Sequence, residues 1–216
     1  LETTLAQVLA DAIGVTPGDI AVHLGDTART PYGMGSFASR CAVIGGGAAI
    51  QAGRRLRQKV LAAAAHVLEA HVDDLDLVDG AIYSRDREEP LLSLSEVAHI
   101  TYFANKRLPR DFEPGLTATA YYDPVFGTPS NACHLALVEV DPSTGAVQVL
   151  KYVIAEDCGP RINPLVVEGQ LIGGMVQGLG GALYEHLIYD EHGQLLTTTF
   201  MDYLVPSSMD IPPIAI

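Results

Sequence analysis

Two stretches of the sequence gather groups that hold polar ligands. The first is Pro31-Tyr32-Gly33-Met34-Gly35-Ser36-Phe37-Ala38-Ser39-Arg40, followed by Cys41. Small residues leave backbone amides open, Ser36 and Ser39 add hydroxyls, and Arg40 adds a guanidinium just ahead of a helical pattern, a combination that grips an anionic group. Glycine and serine before a helix are also ordinary capping material, so this loop alone does not choose between ligand and structure. The second stretch is Glu156-Asp157-Cys158-Gly159-Pro160-Arg161-Ile162-Asn163-Pro164, continuing into Glu168-Gly169-Gln170 and Gln177-Gly178-Leu179-Gly180. It sets carboxylates, a thiol and amides around one helix start. Gln170 and Gln177 share a helical face with Gly173 and Gly174, an arrangement in which amides can reach a flat polar ring system across a small-residue surface. The other reading is a packing helix whose glutamines bond to neighbouring backbone.

Other chemistry-bearing residues carry less. Gly45, Gly46 and Gly47 fall inside a helix, where each glycine costs about 1 kcal/mol relative to alanine, so close packing is the expected reason for them. They do not form a G-x-G-x-x-G dinucleotide fingerprint after a strand. His66 and His71 are five apart and point to different faces, unlike the i,i+4 pair of a zinc helix. Arg54, Arg55, Arg57 and Lys59 concentrate positive charge, the pattern of a solvated face or a docking patch for a partner subunit. Cys158, on a Gly-Pro loop, is the cysteine most suited to be exposed and reactive.

The elements that position these groups alternate along the chain. Thr4 with Gln7 reads as a capping box, and Leu5, Val8, Leu9, Ala12 and Ile13 form one stripe that Gly14 ends. The turn Thr16-Pro17-Gly18-Asp19 leads to an expected strand over residues 20–24. After the loop at 26–39 comes a long helix with Val60, Leu61, Ala64, Val67 and Leu68 on one side. Short strands are expected at 75–78 and 81–84, a helix at 93–103, and an irregular Pro-rich stretch to Pro114. The second half offers a strand at 116–122, an apolar loop at 123–131, and strands at 134–140 and 146–154 joined by the hairpin turn Asp141-Pro142-Ser143-Thr144-Gly145. Asn163 as N-cap and Pro164 at the first helical position start the Gly-rich helix. A further hairpin surrounds Asp190-Glu191-His192-Gly193. Blocks of helices and hairpins without regular crossovers define an α+β fold of mixed helices and antiparallel hairpins, in two subdomains at 1–112 and 113–216.

With 48% hydrophobic and 18% charged residues over 216 positions, the chain can bury a sizeable core. A net charge of -13 repels nucleic-acid phosphates and anionic membranes, which leaves small molecules and proteins as partners. The three cysteines, Cys41, Cys133 and Cys158, suit a reducing cytoplasm and fall short of the four thiolates an iron–sulfur cluster usually takes. The segment 164–184 carries one charge and small residues at membrane-helix spacing, but its glutamines and glycines, with no flanking Trp, favour a soluble packing helix.

Taken together and in order, the runs at 30–40 and 157–164, then Glu168-Gly169-Gln170 and Gln177-Gly178-Leu179-Gly180, resemble the molybdopterin-binding large subunit of the xanthine dehydrogenase and aerobic carbon monoxide dehydrogenase family. Gly25-Asp26-Thr27, the segment from Glu139-Val140-Asp141 to Gly145, and Phe200-Met201-Asp202-Tyr203 are similar to the same family, so the resemblance spans nearly the whole chain. It implies that Gly35, Ser36, Phe37, Ala38, Ser39, Arg40 and Cys41 wrap the pterin and the molybdenum ligands. It further implies that Asp157, Asn163 and Gln170 lie along the dinucleotide arm and that Gln177 approaches the molybdenum. The implied cofactor is molybdopterin cytosine dinucleotide with molybdenum, and FAD and 2Fe-2S clusters are implied on partner subunits of an oligomeric complex. The family hydroxylates small molecules with water as oxygen source, using a Glu base in a Gly-Val-Gly-Glu run. No such run occurs here, nor does the Gly-Gln-Gly loop expected before Leu1, so the chain reads as a piece of a longer subunit, with no catalytic residue assigned and no activity expected from the piece alone. The alternative is a non-catalytic ligand-binding or assembly module that kept the fold.

Overall fold

The computed structural model describes residues 1–125 and 129–216. The chain divides into two compact units, Leu1–Thr128 and Pro129–Ile216. The division falls later than the 112/113 boundary expected from the sequence, because residues 113–122 stay bonded to the first unit. Lys59 pairs with Glu113 at 2.9 Å, the Gly115 amide donates to the Thr101 carbonyl at 3.0 Å, and Arg55 donates to the Thr119 carbonyl at 2.6 Å.

In the first unit, α1 (Glu2–Ile13) packs on the long helix α2 (Gly46–Leu68), which follows a π-helical turn at Cys41–Gly45. Gly53 lets the two helices approach closely: a side-chain carbon there would sit 2.8 Å from Ala12 Cβ and 3.1 Å from Leu9 Cδ1. The strands β1 (Leu75–Val78), β2 (Ala81–Ser84) and β3 (Pro90–Ser93) form an antiparallel sheet in that order, and α3 (Leu94–Phe103) follows directly. Val60, Ala64, Leu75, Leu77, Ile82 and Val97 are buried in the core between α2, α3 and the sheet. Burial of apolar side chains at this depth is the main favourable term of folding. Gly47, expected to face something close, has the Tyr122 ring against it, and any side chain there would overlap that ring.

Several local expectations give way. Helix α1 starts at Glu2, with Leu1 as its N-cap and no side-chain capping bond, so Thr4 lies within the first turn instead of opening a capping box. Complete capping boxes occur at Ser93 with Glu96 and at Thr16 with Asp19. Residues 20–24 are extended but join no sheet among the described residues, and residues 116–122 likewise lie along α2 rather than along a strand. Backbone without a neighbouring edge cannot become a ladder, however β-prone its side chains. The expected loop at 123–131 includes residues 126–128, which lie outside the described residues.

In the second unit, β4 (Asn131–Val140) and β5 (Val147–Asp157) form a long antiparallel hairpin, and β6 (Ile214–Ala215) adds in parallel beside β5. The turn is fixed chemically: Asp141 Oδ1 accepts from the Ser143 amide at 2.8 Å and its hydroxyl at 2.7 Å, while Gly145 takes a φ of 73°. Helix α4 (Pro164–Leu183) covers β5, burying Met175 and Leu179 against Ile154. The hairpin expected around 190–193 reduces to one antiparallel bridge, Tyr189 with Leu195. Among the described residues no helix is long and apolar enough to cross a membrane.

Candidate functional site

The first unit presents the loop at 31–40 in an open, shaped conformation. Gly35 has a φ of 92°, and Ala38 and Ser39 follow at 52° and 54°. Two successive non-glycine residues in the left-handed region are uncommon and cost strain, which surrounding structure must hold. The holding contacts are local. Cys41 Sγ donates to Ser36 Oγ at 2.9 Å, the Arg40 amide donates to the Phe37 carbonyl at 3.2 Å, and the Arg40 guanidinium stands over the Phe37 ring at 4.6 Å. Arg40 has no carboxylate partner among the described residues, so its charge is available to an anion. The stretch Gly25-Asp26-Thr27 is a braced turn: Asp26 Oδ1 accepts from the Ala28 amide at 2.9 Å, and the Thr30 hydroxyl donates to the Asp26 carbonyl at 2.7 Å.

The second unit collects Asp157, Asn163, Gln170 and Gln177 on the end of β5 and along α4. Asp157 Oδ1 accepts from the Gly159 amide at 3.0 Å, which turns the chain, and Asn163 Oδ1 accepts from the Val166 amide at 3.2 Å, which caps the helix. Between the strand end and the helix start lies a cleft of about 670 Å³, within the range of small-molecule sites. Glu156, Asp157, Cys158, Arg161 and Glu168 line it. Further along α4, Gln170, Gly173, Gly174 and Gln177 are all exposed on one face, opposite the buried Met175 and Leu179. Among the described residues, no atom outside the helix's own backbone lies within 4 Å of where a side chain would start at Gly169, Gly173, Gly174 or Gly178, and the two glutamine amides make no side-chain hydrogen bond. The glutamines therefore do not serve the neighbouring backbone, as a pure packing helix would have them do.

Sequence reasoning missed two features. The basic run is internal bracing: Arg57 donates to the Ile13 and Leu77 carbonyls, each at 2.7 Å, and pairs with Asp76, while Arg55 and Lys59 hold residues 113–119. A solvated face describes Arg54 and, apart from its bond to Thr119, Arg55, both of which are exposed. Nothing in the run's spacing announces carbonyl partners this far away in sequence. The other feature is at the end of α4, where the Tyr203 hydroxyl donates to Glu185 at 2.5 Å. That bond, with added burial and the nearby negative charge, holds the phenol above its usual pKa.

An α+β chain with a strained, cation-bearing loop, and a Gly-rich helix displaying unused amides, has the features of a domain that binds a large polar cofactor. The family described as molybdopterin cofactor-binding domain matches residues 1–212, and the chain belongs to it. It is 44% identical, over 98% of its length, to the nicotine 6-hydroxylase large subunit of Paenarthrobacter nicotinovorans, and 35% identical over the same share to the carbon monoxide dehydrogenase large chain of Hydrogenophaga pseudoflava. Its structure is similar over its whole length to quinoline 2-oxidoreductase from Pseudomonas putida 86, with a TM-score of 0.89 and 43% identity, covering 27% of that chain. The chain spans about a quarter of the length of the curated relatives it matches, 26% of each of the two above.

Proposed function

We propose that this chain supplies cofactor-binding contacts of the large subunit of a molybdenum hydroxylase, which oxidises a small molecule using water as oxygen source. The observation that carries this reading is the donor set. The loop offers amides and a free guanidinium, the helix offers uncommitted glutamine amides, and the described residues contain no group of three metal-ligating side chains. Such a set suits an organic cofactor that brings ligands for its own metal, and does not suit an ion held by the protein alone.

On this reading Gly35, Ser36, Phe37, Ala38, Ser39, Arg40 and Cys41 hold the pterin portion, with Phe37 stacking under Arg40 to keep the guanidinium extended. Asp157, Asn163 and Gln170 lie along the dinucleotide arm, for which cytosine is the proposed base. The cleft carboxylates Glu156 and Glu168 accept from ribose hydroxyls or a base amine, whereas Arg161 and the start of α4 favour phosphate oxygens. Gln177 would approach the molybdenum, where its amide would supply a hydrogen-bond donor. When bound, the cofactor supplies two-electron redox chemistry. The chain's own part is to bind, orient and hydrogen-bond, and no proton-transferring residue is assigned within it. Iron–sulfur and FAD subunits in a cytoplasmic, oligomeric complex are the proposed electron acceptors.

The loop assignment is tested by Arg40→Ala in the complete subunit. Loss of a charged hydrogen bond to a ligand costs roughly 1.5–3 kcal/mol of binding, whereas loss of the half-buried Arg40 contact with the Phe37 ring costs no more than about 1 kcal/mol of stability. Molybdenum occupancy should fall markedly while the melting temperature drops only slightly. The opposite pattern, full occupancy with a lowered melting temperature, makes the loop structural.

A further inference from the structure

Gly180 lies near the end of α4, is buried, and does not have the positive φ that would require glycine. Glycine weakens a helix interior, so something else must select it. A side-chain carbon at this position would overlap the Glu185 carboxylate and stand 3.1 Å from Pro206 Cδ, whereas Gly181, one residue on, faces open space. Two bonds hold Glu185 in that place. Its amide donates to the Gly180 carbonyl at 2.8 Å, and its carboxylate accepts from the Tyr203 hydroxyl at 2.5 Å. Tyr203 in turn closes a tight turn: its amide donates to the Thr199 carbonyl at 2.8 Å, and the Thr199 hydroxyl donates to Asp202 at 3.2 Å. The turn holds out Phe200 and Met201, which are 80% and 88% exposed. The turn therefore fixes where this adjacent pair of solvent-facing apolar side chains stands.

We propose that Glu185 and Tyr203 are positioning residues that form a latch, accommodated by Gly180, fixing the turn at 199–203 to the end of α4. The latch sets where Phe200 and Met201 stand relative to Gln177, one helical turn away from Gly180 on the same helix. Its meaning for turnover rests on the cofactor reading of α4, but the latch itself does not. The short bond to a carboxylate and the raised phenol pKa are the expected properties of such a contact.

The test uses the full-length subunit with Tyr203→Phe, Glu185→Ala, Glu185→Gln and Gly180→Ala, followed by chymotryptic cleavage after Phe200 under native conditions. A hydrogen bond to a charged group governs local opening by about ten-fold or more, so cleavage should quicken by that factor in Tyr203→Phe, Glu185→Ala and Gly180→Ala. Glu185→Gln still offers the phenol an oxygen but no charge, so its rate should lie between those of the parent and Glu185→Ala. In a Glu185→Ala background, Gly180→Ala should add much less than it does alone, because the overlapping carboxylate is gone and only Pro206 Cδ must give way. Spectroscopic titration, read as the difference between parent and Tyr203→Phe, should show Tyr203 ionising above the ordinary range and returning toward it in Glu185→Ala, where the hydrogen bond that raises it is gone. In the loaded enzyme, Tyr203→Phe should raise KM for substrate with kcat nearly unchanged. Unchanged cleavage in Tyr203→Phe and Glu185→Ala, or simple additivity of Gly180→Ala with Glu185→Ala, overturns the latch. An unchanged KM beside quickened cleavage overturns its positioning role. Cleavage and titration need no cofactor, so failure of the cofactor reading would register separately, as absent molybdenum.

Discussion

Replacing Arg57 with Met should destabilise the first unit by about 2–3 kcal/mol, a change far larger than a surface arginine would give. Met keeps the length and packing of the stem but removes every donor. Two carbonyls, at the end of α1 and within β1, each lose a 2.7 Å hydrogen bond, and Asp76 loses its ion pair. The Arg57 side chain is 24% exposed and that of Asp76 is 42% exposed, so water partly replaces what is lost. Each carbonyl is therefore assigned about 1 kcal/mol and the ion pair no more than about 1 kcal/mol. For a unit of this size the total corresponds to a fall of roughly 6–12 °C in melting temperature, measured by circular dichroism. Arg57→Lys, a point charge that cannot fork to three acceptors, should lie between parent and Met. Arg54→Met, at an exposed position, should change stability by less than about 0.5 kcal/mol. A fall of less than about 2 °C for Arg57→Met would mean the guanidinium is solvated and the bracing account is wrong.

Gln177→Leu in the complete enzyme should leave thermal unfolding nearly unchanged, because Leu is a good helix former and the position is exposed, yet lower turnover per bound molybdenum; normal turnover would remove Gln177 from the site. The 216-residue chain expressed alone should retain no stoichiometric molybdenum and show no hydroxylase activity, and elemental analysis finding one molybdenum per chain would contradict this. Asp141 is held below its ordinary carboxyl pKa, chiefly by the Ser143 hydroxyl and then by the Ser143 amide. Its stabilising effect should therefore be present above the ordinary value of 3.8 and be lost as pH falls through the lower folded value. The melting-temperature gap between parent and Asp141→Asn should close in strong acid, and a gap that widened instead would reverse the assignment.

Much of this architecture was legible because local chemistry and tertiary context agree. Asn163-Pro164 starts α4 where capping rules place it, Gly14 ends α1 in the left-handed conformation, and Asp141 to Gly145 makes the hairpin turn. Residues 20–24 and 116–122 misled because β propensity says nothing about whether a partner edge exists. Strand β3 opens with Pro90 and β6 is two residues long, so neither carries an alternating pattern to read. The site's residue types were visible in the sequence, but their availability was not. Only the fold reveals that Gln170 and Gln177 point away from the core, while Arg55, Arg57 and Lys59 are already engaged. The Glu185 to Tyr203 contact spans 18 residues through an irregular segment, where no periodicity could announce it.

Metal and nucleotide analysis of the complete subunit, purified with its partner subunits, decides whether this chain holds molybdopterin in a working hydroxylase. One molybdenum per large subunit is expected, with release of a cytidine nucleotide in equal amount on acid hydrolysis. A well-folded complex with neither molybdenum nor nucleotide would contradict it, and would mark the chain as a binding or assembly module that keeps the fold without the cofactor.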